Sequence, residues 1–217
     1  MVRALSDIMV RRSLHTSRLV EMIETVAAFT IPFGITKVSQ DICDQIKPLT
    51  GSQQCEGTEN FNVLEALPTV KASLTEIITS WMNHVTLIPN QRWIMTTSWI
   101  TENPNGDSMH PHRHQNSMFS AVLYFDEVAK DHPQLNFENP LPLMSSFQLS
   151  CGDNSFTSNF IAPIDTNTLL IFPSYLEHGH EKFKSQINRR SLAMNFFPIG
   201  KLGIFDSILD TNLLRYE

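Results

Sequence analysis

The chain has 217 residues, 41% of them hydrophobic and 18% charged, and 16 Lys and Arg against 22 Asp and Glu leave a formal charge of −6. That balance lacks the electrostatic footprint of a nucleic-acid binder and points to a small-molecule or peptide substrate. The length suits one sizeable core, and single domains of up to about 250 residues are common among β-rich folds.

Three cysteines (Cys43, Cys55, Cys151) are odd in number, far apart and without CxxC. They argue against a disulfide framework and read as free thiols in a reducing compartment. No apolar run approaches the roughly 18 residues that span a bilayer, and the start has no continuous apolar signal segment, so no membrane association and a cytoplasmic location are expected.

Residues 1–20, MVRALSDIMVRRSLHTSRLV, hold four Arg and one acid. This is the bias of an organellar transit peptide, but the apolar residues keep no clean helical period, and a loose basic extension over 1–21 is the simpler expectation. A functional start at Met22 is a third reading. Residues 22–217 are expected to form one domain, with helical support over about 36–88 and a jelly-roll core over about 92–200, and the extension is expected to be dispensable for the site.

Ser39 is placed to cap a short helix that puts Ile42 and Ile46 on one face and stops before Pro48. TGSQQCEGTEN (50–60) is polar and turn-rich, a surface loop. From Pro68 to about Val85 the apolar residues Val70, Leu74, Ile77, Ile78, Trp81 and Val85 recur at helical spacing, which predicts an amphipathic helix covering one face of a sheet. His84 near its end reads as a surface or capping residue.

After Pro89 the period changes to two. Segments 92–100, 118–125, 134–138, 159–164, 167–172 and 189–197 are short, rich in β-branched and aromatic residues, and separated by Asn, Asp, Gly or Pro. Several short strands with no helical stretch between them predict a sandwich or jelly roll and disfavour a parallel βαβ sheet.

NPNGD (103–107) is a turn signal that leads into an extended segment, where residues two apart face the same way. His112 and His114 therefore share a side, roughly 6 to 7 Å apart at Cα by the strand rise, and can converge on one metal ion. The third ligand must come from elsewhere, and IFPSYLEHGH offers His178 or His180. His110, His132 and His180 read as solvent-facing or supporting histidines, Met109 and Met118 as packing residues, and Trp99 as core.

In order, Trp99, Gly106, His112-x-His114, Ser120, Val122 and Tyr124, then FPS-x3-H (Phe172, Pro173, Ser174, His178) and R-x-S-x3-N (Arg189, Ser191, Asn195), resemble the Fe(II)/2-oxoglutarate-dependent oxygenases of the prolyl-hydroxylase-like superfamily. The resemblance covers about 92–197. It implies a mainly β double-stranded β-helix with N-terminal helices, holding Fe(II) on His112, His114 and His178. It also implies 2-oxoglutarate as co-substrate, O2 as the other, and hydroxylation of a C–H bond with release of succinate and carbon dioxide. In its terms Arg189, Ser191, Tyr124 and Asn195 serve the co-substrate. The usual second ligand is an acid, and here His114 stands in that position.

Strand alternation separates the two adjacent arginines. Arg189, Ser191, Ala193 and Asn195 form a small polar face, suited to a dicarboxylate, and Arg190, Leu192, Met194 and Phe196 an apolar one, with the Arg190 head expected in solvent. Two other readings share the architecture. Gly106 with His112-x-His114 also fits the opening of a three-histidine cupin, without the glutamate expected after it, and a non-catalytic metal-binding module is the last alternative.

Overall fold

In the computed structural model, residues 30–49, 61–141 and 159–213 are described. By contacts the chain falls into two units, Met1–Ile31 and Pro32–Glu217, and everything below concerns the second. The expected basic extension, the alternative start at Met22, the loop over 50–60 and the cysteines Cys55 and Cys151 fall outside the described residues.

Strand β1 (Gly34–Lys37) precedes helix α1 (Gln40–Ile46), which buries Cys43 and Ile46. Ser39 occupies the N-cap position with extended backbone, but its hydroxyl makes no cap bond. Helix α2 (Pro68–Thr86) has Pro68 in its first turn, where a missing N–H costs nothing. It buries Val70, Leu74, Ile78 and Met82. Ile77 is 38% exposed, so the apolar face is narrower than the periodicity suggests and Met82 takes its place in the core. His84 is exposed, as a surface histidine should be.

The strands that follow are β2 (Arg92–Asn103), β3 (Met109–His112), β4 (Phe119–Leu123), β5 (Leu135–Glu138), β6 (Asn159–Ala162), β7 (Thr168–Pro173), β8 (His178–His180) and β9 (Arg189–Ile199), closed by a two-stranded pair, β10 (Lys201–Leu202) and β11 (Leu209–Asp210). They form a five-stranded sheet in the order β1-β7-β4-β9-β2 and a four-stranded sheet in the order β3-β8-β5-β6. Every pairing within them is antiparallel. This is the expected jelly roll.

Alternation gives the larger sheet two different faces. Phe119, Ala121, Leu123, Leu169, Ile171, Leu192, Met194 and Phe196 pack with the buried residues of α2 in one core. The opposite face carries Ser120, Val122, Arg189, Ser191, Ala193 and Asn195, and turns toward the smaller sheet. Phe137 of β5 meets Phe172 of β7 edge-on at 4.8 Å, which ties the sheets together behind the site. No helix among the described residues is long and apolar enough to cross a membrane.

Candidate functional site

Three backbone features bring His112, His114 and His178 together. Strands β3 and β8 pair with His112 opposite His178 and Met109 opposite His180. A Cβ on Gly179 would lie 2.5 Å from the Met109 carbonyl oxygen and 3.0 Å from Pro111 N, so the close approach of these strands requires glycine. Beyond β3, the His114 N–H donates to the Ser174 carbonyl at 3.1 Å, and Asn116, with φ of 55°, turns the chain into β4.

One ring nitrogen from each of the three histidines lies within 4.8 Å of the others. Their ring centroids are 4.6 Å apart for His112 and His178, 5.1 Å for His114 and His178, and 5.3 Å for His112 and His114. The Nδ1 of each is already engaged. His112 Nδ1 faces the His110 carbonyl at 3.0 Å, and His178 Nδ1 the Leu176 carbonyl at 2.9 Å. His114 Nδ1 faces Asn195 Oδ1 at 2.7 Å. Carbonyl oxygens only accept, so each Nδ1 carries the proton and each Nε2 presents its lone pair to a common point. Three such nitrogens on one side suit a divalent transition metal and leave positions open opposite.

Electrostatics favour the neutral form that a ligand needs. Burial holds the His178 imidazole down at about 3, against the raising effect of the Leu176 carbonyl and with the help of His114 and His112. Burial also lowers His114, opposed by its bond to Asn195 and assisted by His112.

Behind the histidines lies a cavity of ≈ 150 Å³ whose lining includes Trp99, Thr101, Tyr124, Leu135, Arg189 and Ser191. Arg189 is 2% exposed and has no ion pair among the described residues. Its Nη2 donates to Tyr124 Oη at 2.9 Å and its Nη1 to Asn103 Oδ1 at 3.4 Å, while its Nε has no partner. A buried cation without a counter-ion is costly unless an anion reaches it. An anion in the cavity would find both the histidines and Arg189 in its walls. Tyr124 is fully buried, which raises its phenol above the ordinary value, with Arg189 pulling the other way.

Ser191 lines the cavity beside Arg189. Asn195 lies at the metal end, bonded to His114, to Ser120 Oγ at 2.8 Å and to Thr97 Oγ1 at 3.1 Å. Trp99 is half-buried and lines the cavity, its ring 5.5 Å from His114, because the alternate position Ile100 is the one that enters the core. Met109 also lines the cavity, whereas Met118 is 45% exposed. His110 is exposed.

His132 and His180 are both buried, not solvent-facing. His132 bridges the Ala129 N–H and the Ile187 carbonyl. His180 shares the inward side of β8 with His178, and its Nδ1 meets the Glu181 carbonyl at 3.0 Å. Both fit the supporting reading; Arg190 departs from expectation, because its head is not in solvent. It bonds Asp126 at 2.9 Å and the carbonyls of Lys47 and Leu49 at 3.2 and 2.6 Å, across the end of α1. Sequence reading missed the chain of hydroxyls Ser117, Ser174 and Ser120, linked at 2.9 and 2.8 Å and ending 2.9 Å from His114 Nδ1. The FPS and S-x-V motifs contain two of its members, but only the pairing of β4 with β7 brings them together.

Residues 97–195 match the profile of a family described as "Putative 2OG-Fe(II) oxygenase". No curated protein matches the chain. Among solved structures, the fold is shared with HygX from Streptomyces hygroscopicus with nickel, 2-oxoglutarate and hygromycin B bound (11% identity, TM-score 0.54, covering 78% of this chain and 84% of that one). It is shared also with a prolyl-4-hydroxylase from Pseudomonas putida (16%, 0.51, 79% and 95%) and with AviO1 from Streptomyces viridochromogenes Tue57 (12%, 0.51, 76% and 89%).

Proposed function

We propose that this chain is a 2OG-Fe(II) oxygenase, an enzyme that uses Fe(II) and 2-oxoglutarate, and that it hydroxylates a C–H bond of a small molecule or peptide. The reaction would consume O2 and convert 2-oxoglutarate to succinate and carbon dioxide. The observation that carries this reading is the alignment in one cavity of three convergent histidines and an unpaired, buried Arg189.

In this reading His112, His114 and His178 hold the metal through Nε2, each fixed by the bond its Nδ1 makes. When bound, Fe(II) and 2-oxoglutarate together supply oxygen activation and the oxidising power for C–H hydroxylation. Arg189 binds the distal carboxylate with the planar fork of its guanidinium, and Tyr124 holds that fork through its bond to Nη2. Ser191, on the same face of β9, adds a hydroxyl donor to the same carboxylate. Asn195 is assigned to the metal end, where it fixes the tautomer of His114. Trp99, Leu135 and Ala193 provide apolar walls that keep bulk water from the reacting carbon.

The test is succinate formation from 2-oxoglutarate with Fe(II) and O2 across a panel of metabolites and peptides. Succinate released in step with a hydroxylated product supports the proposal, and its absence both with the panel and in uncoupled turnover contradicts it. The neutral donor set also suits a three-histidine cupin-type metal protein, which would bind the metal without any dependence on 2-oxoglutarate.

A further inference from the structure

The candidate ligands are three imidazoles whose Nδ1 protons are held by the neutral oxygens of His110, Leu176 and Asn195, so the donor set carries no charge. Among the residues lining the cavity the only charged side chain is Arg189, and no carboxylate lines it. The nearby acids lie outside that lining. Glu177 pairs with Arg113 at 2.8 Å, and Asp107 accepts from Asn103 at 2.8 Å. A divalent ion entering this space thus adds two positive charges to the one already buried on Arg189, in a cavity of ≈ 150 Å³ that no carboxylate lines.

We propose that metal retention in this protein is gated by its co-substrate: the neutral three-histidine set holds Fe(II) weakly by itself and firmly only when a dianionic 2-oxoacid occupies the cavity. The inference rests on the metal and co-substrate assignments above and adds a regulation they do not contain. Two like charges in a low-dielectric space oppose each other strongly, and a dianion that reaches both cancels most of the repulsion. A dicarboxylate can place one carboxylate at the metal and the other at Arg189. By reciprocity, whatever factor the dianion adds to metal affinity the metal adds to dianion affinity. A monoanionic 2-oxoacid with the same chelating head leaves Arg189 uncompensated and tightens the metal less. The protein would then lose iron when 2-oxoglutarate is scarce and recover it when the co-substrate returns.

The test is the anaerobic affinity of the full chain for Fe(II), read by competition with a chromophoric chelator, alone and with saturating 2-oxoglutarate or pyruvate. The expected result is a tightening of a hundredfold or more with 2-oxoglutarate and at least tenfold less with pyruvate. H114D places a carboxylate in the donor set and is expected to bind Fe(II) more tightly than the wild type in the absence of 2-oxoacid, with the 2-oxoglutarate effect reduced to about tenfold or less. The wild-type comparison of the two 2-oxoacids stands if that variant does not fold. Equal Fe(II) affinity with and without 2-oxoglutarate overturns the gating while leaving the metal assignment intact, as does an equal effect of pyruvate. Failure to bind Fe(II) under any of these conditions overturns the metal assignment and the gating together.

Discussion

Asn195 Oδ1 lies 2.7 Å from Nδ1 of His114, and the same oxygen receives the Ser120 hydroxyl at 2.8 Å. The amide thus holds one member of the histidine triad in the tautomer that frees its Nε2, while its own Nδ2 is anchored to Thr97 on the neighbouring strand. Partners of this kind typically contribute 10- to 100-fold to metal affinity. Asn195→Leu is therefore expected to weaken Fe(II) binding by about that factor, measured by equilibrium competition, and Ser120→Ala by less. Unchanged affinity in Asn195→Leu means that the ring is held by packing alone.

Arg189 and Arg190 are expected to separate by kind of effect. Loss of a charge-assisted bidentate contact in a buried site costs on the order of 2 to 4 kcal/mol, so Arg189→Met should weaken 2-oxoglutarate binding at least tenfold. Arg190→Met should leave that binding nearly unchanged but lower the melting temperature. Its guanidinium joins Asp126 to the carbonyls after α1, and losing such a part-buried cluster costs about 1 to 3 kcal/mol. The opposite ranking in 2-oxoglutarate binding means that β9 is displaced by one residue.

Gly179→Ala should be disproportionately damaging for one methyl group. The added carbon meets the Met109 carbonyl, so β8 must move away from β3, and His178 moves with it away from His112. We expect loss of metal binding in a chain that still folds, with near-native circular dichroism. A variant that keeps wild-type metal affinity shows that the two strands separate without moving the histidines.

The folded state lowers the His178 pKa to about 3, whereas the unfolded chain titrates near the ordinary 6.5. Below about pH 6.5 the unfolded state binds the extra proton and the folded state does not, so this residue's contribution to stability is complete above 6.5 and lost as the pH falls toward 3. The slope from this group approaches at most about 1.4 kcal/mol per pH unit. Metal-free wild type should therefore lose urea stability between pH 6.5 and 4.5 more steeply than His178→Leu. Parallel curves for the two proteins contradict the assignment.

Much of this arrangement is legible in the chain because alternation is a strong signal. RRSLAMNFF divides into two faces, and β9 turns Arg189, Ser191 and Ala193 toward the cavity and Leu192, Met194 and Phe196 toward α2. Strand β8 is not legible. HGH has neither β-branched residues nor period, and it is a strand only because β3 and β5 supply partners on both sides. Strand β1, GITK, is only one residue longer and depends on pairing with β7. The burial of His132, His180 and Arg190 has the same origin. Their partners come from Ile187, Glu181, Asp126 and the end of α1, contacts set by tertiary packing that no local pattern announces. Trp99 shows the limit from another side, since an aromatic at an alternating strand position reads as core whether its face meets a helix or a cavity.

Whether His112, His114 and His178 hold one Fe(II) which 2-oxoglutarate joins is decided by anaerobic absorption titration of the wild type and its single alanine variants. A weak visible charge-transfer band is expected in the wild type only when Fe(II) and 2-oxoglutarate are both present. H112A, H114A and H178A should lose the band and the bound iron, and H110A and H180A should keep both. Absence of the band in the wild type, or retention of iron by H114A together with its loss in H110A, contradicts this assignment of the ligands.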